Sequence, residues 1–331
     1  MTTRDTGSAG PEVLSVQDLV KHYPVRRGLF AAPGTVHAVD GIDLRLMPGE
    51  TLGLVGESGC GKSSAGKTIL GLTPPTSGVI RLNGRRIDTL SRGSMRPLRK
   101  DLQVVFQDPF SSLNPRMTVG DILAEPLRNF DVVPASGRDG RIAELLDRVG
   151  LPAAAAGRYP YEFSGGQRQR IGIARALAPE PKVIVCDESV SALDVSVQAQ
   201  VINLLMDLQR DFGISYLFIA HDLAVVEHIS HRVAVMYLGR IVEIADKAAL
   251  YARPQHPYTE ALLSAVPRPE PGRARTRIPL KGDVPSPLNP PSGCRFHTRC
   301  PLAIDRCRTE VPAMTKLRPG HSVACHLRTP D

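Results

Sequence analysis

Gly56-Glu-Ser-Gly-Cys-Gly-Lys-Ser63 predicts the fold of this chain, because these residues form a complete G-x-x-x-x-G-K-[ST] phosphate-binding loop. The backbone N–H groups of such a loop point inward at the phosphates of a nucleotide. Lys62 is placed to reach the β- and γ-phosphates, and the Ser63 hydroxyl is placed to bind Mg2+. We expect the nucleotide-binding residues here to be Gly56, Glu57, Ser58, Gly59, Cys60, Gly61, Lys62, Ser63 and Ser64.

The flanking sequence supports this interpretation. Thr51–Val55 is a short apolar run that predicts a buried strand, and residues 64–72 predict a helix whose N-terminus also faces the phosphates. The alternative is a glycine-rich turn that binds nothing. The order strand, loop and helix favours the phosphate site.

Composition sets the broad class of the protein. The chain has 331 residues, 42% of them apolar and 22% charged, which are ordinary values for a globular protein. It contains no apolar run of about 18 residues, so we do not expect it to cross a membrane. Residues 1–11 are polar and predict a short disordered lead-in to a cytosolic protein.

The net charge of +8 is concentrated near the C-terminus. Residues 267–331 carry 12 Lys and Arg against 5 Asp and Glu, and they hold 12 of the 29 prolines. A basic segment is compatible with nucleic acid or an anionic membrane surface, and equally with a solvated surface. Its proline content predicts a loop-rich segment that needs an additional stabilising feature to be ordered.

Hydrophobic patterning predicts the remaining elements. Residues 12–45 alternate in polarity, which indicates antiparallel strands interrupted by a loop insertion at 26–35, and a helical region follows at about 119–180. The apolar runs 183–186 and 214–220 predict buried parallel strands. The other predicted elements are a crossover helix over 195–212 and a hairpin over 233–244 that turns at Leu238 and Gly239.

A pair of acids ends the first of these apolar runs, in Val183-Ile-Val-Cys-Asp187-Glu188. A carboxylate at the end of a strand beside the phosphate loop can hold Mg2+, directly or through water, which is the role we expect for Asp187. Glu188 then becomes the candidate general base that polarises the attacking water.

A third motif makes the resemblance specific. Tyr161-Glu-Phe-Ser164-Gly165-Gly166-Gln167-Arg-Gln-Arg170 resembles the signature sequence of ABC-type ATPases, with Phe163 where leucine is commoner. Serine and two glycines at a helix start present a hydroxyl and free N–H groups to an anion. The resemblance implies that residues 164–167 face the γ-phosphate of ATP held by a second subunit.

Further landmarks of this family occur at matching positions. The resemblance implies that Gln107 senses Mg2+, that Asp194 lies in a segment crossing between two ATP sites, and that His221 is the switch histidine at the γ-phosphate. Tyr23 lies where an aromatic residue stacks on adenine. One departure is Ser189, which follows the two acids where the family usually has proline.

The resemblance also implies a fold class and a domain division. We expect an α/β P-loop NTPase of ABC type, with a RecA-like mixed-sheet core, an antiparallel β subdomain, an α-helical signature subdomain and a small loop-rich C-terminal Cys extension. After the lead-in, the predicted nucleotide-binding domain covers residues 12–245, with its helical subdomain at about 110–180. The extension covers residues 246–331.

Two stretches narrow the resemblance to oligopeptide and dipeptide importers. These are residues 107–115, Gln-Asp-Pro-Phe-Ser-Ser-Leu-Asn-Pro, and residues 254–263, Pro-Gln-His-Pro-Tyr-Thr-Glu-Ala-Leu-Leu. The chain is most similar to the second, F-type ATPase of such systems. This implies a peripheral protein at the cytoplasmic face of the membrane that uses ATP and Mg2+ to energise peptide import. The implied partners are a second ABC ATPase, two permease subunits and an extracytoplasmic solute-binding protein.

Four cysteines are the third feature of this branch. Cys294, Cys300, Cys307 and Cys325 are spaced C-x5-C-x6-C-x17-C. Disulfides are disfavoured in a cytosolic protein, so the residues favour a metal, with four-thiolate zinc and free or redox-active thiols left open. The resemblance implies a 4Fe-4S cluster, as in some members of the branch.

Other functions remain open at this stage. The same motor could serve another solute, such as a nickel chelate or glutathione. A soluble ABC ATPase acting on nucleic acid or the ribosome is a different class. One phosphate loop, the lack of a long heptad run and the lack of a recognised nucleic-acid module count against it, so we expect no nucleic-acid partner.

Overall fold

The computed structural model describes residues 11–25, 34–266, 278–280 and 282–330. Its strands are β1 (Leu14–Val25), β2 (Gly34–Leu46), β3 (Thr51–Val55), β4 (Ser77–Leu82), β5 (Arg85–Arg86), β6 (Leu102–Val105), β7 (Val183–Asp187), β8 (Ser215–Ile219), β9 (Arg232–Tyr237), β10 (Arg240–Asp246), β11 (Thr315–Arg318) and β12 (His321–Val323).

Helices connect these strands. They are α1 (Lys62–Ile69), α2 (Arg92–Met95), α3 (Pro109–Ser112), α4 (Val119–Asn129), α5 (Arg138–Arg148), α6 (Gly165–Leu177), α7 (Val195–Phe212), α8 (Leu223–Ile229), α9 (Lys247–Ala252), α10 (Pro257–Ser264) and α11 (Arg306–Thr309). Short 3-10 helices cover Pro97–Lys100, Ala135–Gly137, Ala153–Gly157 and Pro160–Glu162.

Two sheets organise the molecule. The smaller has the order β2-β1-β4-β5 and is antiparallel throughout. The larger has the order β11-β12-β10-β9-β3-β8-β7-β6, in which β9, β3, β8, β7 and β6 are parallel. In a parallel sheet the carboxyl ends of the strands share one edge, so the loops after β3, β6, β7 and β8 meet there.

The core lies on both faces of the central strands. Every residue of β3, β7 and β8 is buried, as continuous apolar runs in parallel strands require. Two buried polar residues of these strands, Thr51 and Ser215, have side-chain partners, whereas the buried Tyr216 hydroxyl of β8 has none among the described residues. Thr51 Oγ1 lies 2.9 Å from Gln209 Nε2, and Ser215 Oγ accepts the Gly49 N–H at 2.9 Å. These bonds offset the cost of burying hydroxyl groups.

Most of the predicted elements are confirmed. The strand at 51–55, the crossover helix at 195–212, the helical region and the hairpin at Leu238 and Gly239 all form. The helix expected over 64–72 instead begins at Lys62 and ends at Ile69, and Gly71, with φ 65°, follows in the left-handed conformation common after helices.

The predicted lead-in and loop insertion can be compared with the structure only in part. Residues 1–10 of the predicted lead-in (1–11) and residues 26–33 of the predicted loop insertion (26–35) lie outside the described residues. The predicted insertion is too long at its C-terminal end, because Gly34 and Thr35 pair with β1 as the first residues of β2.

The C-terminal segment joins the main sheet. β12 pairs antiparallel with β10 through Glu243–Val323, Ile244–Ser322 and Ala245–His321, and β11 pairs with β12. The two short strands thus extend the central sheet by its outer edge. The segment is held to the central sheet partly by backbone hydrogen bonds, which its proline-rich sequence does not indicate.

Candidate functional site

The phosphate-binding loop connects β3 to α1 under tight steric limits. Gly61 has φ 108°, and a Cβ there would collide with the carbonyl oxygen of Ala38 in β2. A Cβ at Gly56, whose φ is 155°, would collide with the carbonyl oxygen of Met236 in β9. Both positions require glycine, because a left-handed backbone and a close backbone approach coincide there.

Lys62 and Ser63 open helix α1 at the centre of the loop. The Lys62 side chain is buried, and its Nζ donates to the carbonyl oxygens of Gly56 at 2.8 Å and Glu57 at 3.0 Å. The Ser63 hydroxyl donates to Oδ1 of Asp187 at 2.8 Å. The loop therefore presents an ammonium and a hydroxyl beside a carboxylate, as the sequence motif predicts.

Asp187 ends β7, next to the loop. Burial raises the pKa of its carboxyl group, while the hydrogen bond from Ser63 and the charges of Lys67 and Lys62 lower it. A buried carboxylate of this kind gains from a bound cation, because the cation compensates the lost solvation. The Ser63 and Asp187 oxygens are hard donors of the type that Mg2+ takes.

Glu188 and His221 approach each other above the same edge. Glu188 has φ 48°, and its N–H donates to the carbonyl oxygen of Ile219 at the end of β8. His221 Nδ1 lies 3.5 Å from Glu188 Oε2. The Glu188 side chain is 17% exposed and that of His221 is 55% exposed, so both can reach a substrate in solvent. The left-handed backbone at Glu188 is a strained position of the kind found at functional sites.

Gln107 and Tyr23 lie at the margins of this site. Gln107 is exposed two residues after β6, whose Val105 pairs with Cys186 in β7, so it lies at the same sheet edge as Asp187. Tyr23 pairs with Val36 in β2, two residues before Ala38, and Lys21 Nζ lies 4.7 Å from its ring centroid. Its ring is half-buried and belongs to the strand pair that packs on the loop at Gly61.

The signature residues form a separate group at the start of α6. Ser164 caps this helix, since its Oγ accepts the Gln167 N–H at 3.3 Å while Gln167 Oε1 accepts the Ser164 N–H at 3.0 Å. A Cβ on Gly166 would collide with Val197 in the first turn of α7. Asp194 occupies the N-cap position of α7, so it belongs to this second group.

The site thus has two parts on one chain. The structure brings Lys62, Ser63, Asp187, Glu188 and His221 together at the sheet edge. Gly165 and Gly166 lie next to Leu193 and Val197 in α7 and the turn before it, and Ser164 and Gln167 at the same helix start are exposed to solvent. Ser189 lies buried in the turn between the two parts, and its effect on that turn stays a prediction.

Sequence reasoning missed the contacts that the C-terminal segment makes with the loop. Arg299 forms a bidentate ion pair with the Glu57 carboxylate, with Nη1–Oε2 and Nη2–Oε1 distances of 2.6 and 3.1 Å. The Tyr258 hydroxyl accepts the Glu57 N–H at 2.8 Å. In the sequence, His256-Pro-Tyr258 indicates only where the C-terminal extension begins. Nothing in this motif predicts that Tyr258 binds Glu57, 201 residues away.

The four C-terminal cysteines lie close enough to influence one another. Burial and, to a smaller extent, the neighbouring thiols of Cys307, Cys325 and Cys300 raise the pKa of the Cys294 thiol to about 11, although the Phe296 N–H lowers it. The sulfurs of Cys294, Cys300 and Cys325 each accept a backbone N–H from the residue two positions later. Cys294 N–H also donates to the Cys307 carbonyl oxygen at 2.8 Å. The remaining cysteines, Cys60 and Cys186, are buried in the core.

Two protein families match this chain. Residues 39–191 match the family described as "ABC transporter", and residues 242–307 match "Oligopeptide/dipeptide transporter, C-terminal region". Across the described residues, no helix has the length and apolar character needed to span a membrane.

Individual relatives match nearly from end to end. A probable peptide ABC transporter ATP-binding protein, y4tS of Sinorhizobium fredii, is 56% identical over 319 residues, covering 96% of this chain and 90% of its own. The oligopeptide transport ATP-binding protein AppF of Bacillus subtilis is 55% identical, covering 95% and 97%.

The fold has matches among solved structures too. A dimeric post-hydrolysis structure of the ATP-binding cassette MJ0796, bound to ADP and Pi, has a TM-score of 0.63 at 25% identity and covers 71% of this chain and 98% of that one. None of these names mentions a metal, so the four-cysteine hypothesis stays a prediction.

Proposed function

The chain belongs to the ABC transporter ATP-binding family, and we propose that it is the ATP-hydrolysing motor subunit of a peptide importer. The observation that carries the substrate class is the match over 95% or more of the chain to ATPases named for peptide transport, together with the oligopeptide/dipeptide C-terminal family. An ATPase does not itself contact the solute, so its C-terminal region is the part that marks the branch.

Each residue at the sheet edge has a role in this proposal. The loop N–H groups and Lys62 hold the phosphates, and Ser63 and Asp187 offer oxygen ligands to the Mg2+ that accompanies ATP. Gln107 completes the set of residues around Mg2+. Tyr23 stacks on the adenine, and this contact stabilises binding by about 0.5–1.5 kcal/mol. Positioning and electrostatic stabilisation do most of the work in phosphoryl transfer.

Glu188 is the proposed general base for the attacking water. Its carboxylate is oriented by the strained backbone turn and faces His221 across 3.5 Å, so the histidine can contact the γ-phosphate from the same side. Removing a positioned general base costs about 10^2- to 10^4-fold in rate. Glu188→Gln should therefore bind ATP but hydrolyse it at least a hundredfold more slowly.

The exposed signature supports a two-chain site. Ser164 to Gln167 form a capped helix start open to solvent, and a helix start with free N–H groups attracts anions. We propose that this surface covers the γ-phosphate on a partner ATPase, with Asp194 at the crossing between the two sites. ATP binding then closes the pair, and hydrolysis reopens it. The partner chain, two permeases, a solute-binding protein and a position at the cytoplasmic face of the membrane belong to the same proposal.

The four cysteines are proposed to hold a 4Fe-4S cluster. Backbone N–H bonds to three of the sulfurs would stabilise thiolates, as at other cluster sites. Four-thiolate zinc is the alternative occupant of the same four sulfurs. Anaerobically purified protein that lacks both iron and sulfide would refute the cluster.

The experiment for the motor is affinity capture of tagged Glu188→Gln protein from detergent-solubilised native membranes with ATP, followed by mass spectrometry. Two polytopic permeases and a second ATPase should be recovered, and a solute-binding protein would narrow the solute. Lys62→Ala serves as the control that handles nucleotide poorly. Recovery of ribosomal proteins or nucleic-acid factors without a permease would overturn the proposal.

A further inference from the structure

The segment between Cys294 and Cys300 lies against the phosphate-binding loop. Both terminal nitrogens of Arg299 bind the Glu57 carboxylate, Nη1 to Oε2 at 2.6 Å and Nη2 to Oε1 at 3.1 Å. The Arg299 side chain is 7% exposed and that of Glu57 is 24% exposed. A buried, two-pronged arginine–carboxylate pair has a defined geometry that an exposed lysine pair lacks.

Aromatic packing holds this segment in place. Phe296, two residues after Cys294, is 1% exposed and contacts Tyr237 and Tyr258, with ring centroids 5.2 and 5.3 Å apart. Tyr258 also accepts the Glu57 N–H, so the backbone and the side chain of Glu57 are each held from the C-terminal region.

A second arginine anchors the other end of the segment. Arg295 donates to the Leu238 carbonyl oxygen and to the Asp40 carboxylate, and Asp40 follows the strand residues that pack on Gly61. Arg295 directly follows Cys294, and Arg299 directly precedes Cys300. The four-cysteine segment, residues 294–325, is therefore linked to the nucleotide site at two points. Arg295 pairs with Asp40 in β2, and Arg299 pairs with Glu57 in the phosphate loop.

The charge on Glu57 gives this contact a consequence for ATP. Glu57 is the second residue of a loop that must accept a polyphosphate, and an unpaired carboxylate there repels the anion. Arg299 neutralises that carboxylate and holds it against the C-terminal segment.

We propose that Arg299 is a positioning residue for ATP binding, which couples the occupancy of the phosphate loop to the order of the four-cysteine segment. Because coupling between two sites is reciprocal, ATP must order residues 294–300 as much as their order favours ATP. The proposal rests on the ATP site of the proposed function, and it is independent of the transported solute and of what the thiols bind.

The test compares ATP affinity in three variants of the full chain, measured with a fluorescent ATP analogue and Mg2+. Arg299→Gln should weaken binding at least fivefold, within the range of typical coupling energies. Glu57→Gln alone also loses the ion pair, and its ATP affinity is the reference for the second arm of the cycle. Adding Arg299→Gln to it should change the affinity less than twofold, because the double variant contains no unpaired carboxylate.

Arg306→Gln is the matched control, since Arg306 pairs with Glu310 at 2.7 Å on the exposed surface of the same segment. Its ATP affinity should not change. A general loss of folding caused by Arg299→Gln would lower affinity in the Glu57→Gln background too, so the second arm separates positioning from structural damage. If Arg299→Gln binds within twofold of the parent, or if it changes the affinity twofold or more in the Glu57→Gln background, the proposal is wrong.

Hydrogen exchange supplies a second readout that needs no turnover. In the parent chain ATP should slow amide exchange in residues 294–300, and in Glu57→Gln this protection should fall at least twofold because the ion pair is lost. Glu57→Gln decides the proposal even if Arg299→Gln does not fold, since unchanged protection in it would overturn the coupling. A parent chain that binds no ATP analogue would instead count against the proposed function.

Discussion

The central strands and the C-terminal segment are held by different forces. Every residue of β3, β7 and β8 is buried, and these strands are stabilised by apolar contacts on both faces. Residues 278–330 contribute two short strands and rely on Phe296 together with the ion pairs of Arg295 and Arg299. Apolar burial makes the central sheet robust, whereas a few specific contacts make the C-terminal segment responsive to what happens at the ATP site.

The largest effect should come from the central sheet. Phe218 in β8 is fully buried, so Phe218→Ala should lower the free energy of unfolding by about 3–5 kcal/mol, through lost apolar contacts and a residual cavity. Denaturant unfolding followed by circular dichroism measures this. Phe212→Ala, at a ring that is 39% exposed, is the control and should cost less than about 1 kcal/mol. Equal losses in the two variants would contradict the assigned role of β8.

A smaller and more local effect is expected in the C-terminal segment. Phe296→Ala should lower the stability of the C-terminal segment by about 3 kcal/mol. Residues 278–330 should therefore open locally while the central sheet stays folded. Limited proteolysis and hydrogen exchange should map the change to that segment. Leu302→Ala, whose side chain is 48% exposed, is the matched control. If β8 loses protection together with the segment, the two regions form one cooperative unit and the comparison above fails.

The smallest effect is a pH dependence at the junction between the two regions. Burial lowers the pKa of His256 to about 4, with the charge of Arg328 lowering it and that of Glu243 raising it. The unfolded chain, with a histidine pKa near 6.5, binds more protons between pH 6.5 and pH 4. Stability is therefore lost as the pH falls through this window, by about 2 kcal/mol at pH 5 from this residue.

His256→Asn should remove that part of the pH dependence. His256 Nδ1 accepts the Tyr258 N–H at 3.1 Å and so caps α10, and asparagine keeps a capping oxygen without titrating. Thermal melts at pH 5 and pH 7.5 measure the difference. His228→Asn, at an exposed histidine on α8, is the matched control for the exchange of histidine for asparagine. An unaltered pH dependence in His256→Asn would exclude this residue as its source.

Much of the ATP site could be predicted from the sequence because its determinants are local. The loop from Gly56 to Ser63, the acids Asp187 and Glu188, and the signature at 164–167 each lie within a few consecutive residues at the end of a strand or the start of a helix. Parallel strands then bring the loop and the acids to one edge, and the hydrogen bond from Ser63 to Asp187 is the result. Helix boundaries shifted by two or three residues, because capping and a left-handed glycine decide where a helix stops.

Sequence alone was sufficient to predict the family, the order of the main elements and the position of the phosphate loop, since periodicity and short motifs carry those properties. The folded structure was needed to show that β11 and β12 extend the central sheet and that Arg299 pairs with Glu57, 242 residues earlier in the chain. No local sequence feature predicts the ion-pair partner of an arginine in a basic, proline-rich stretch. Burial and geometry determine that partner, and both arise only when the whole chain has folded.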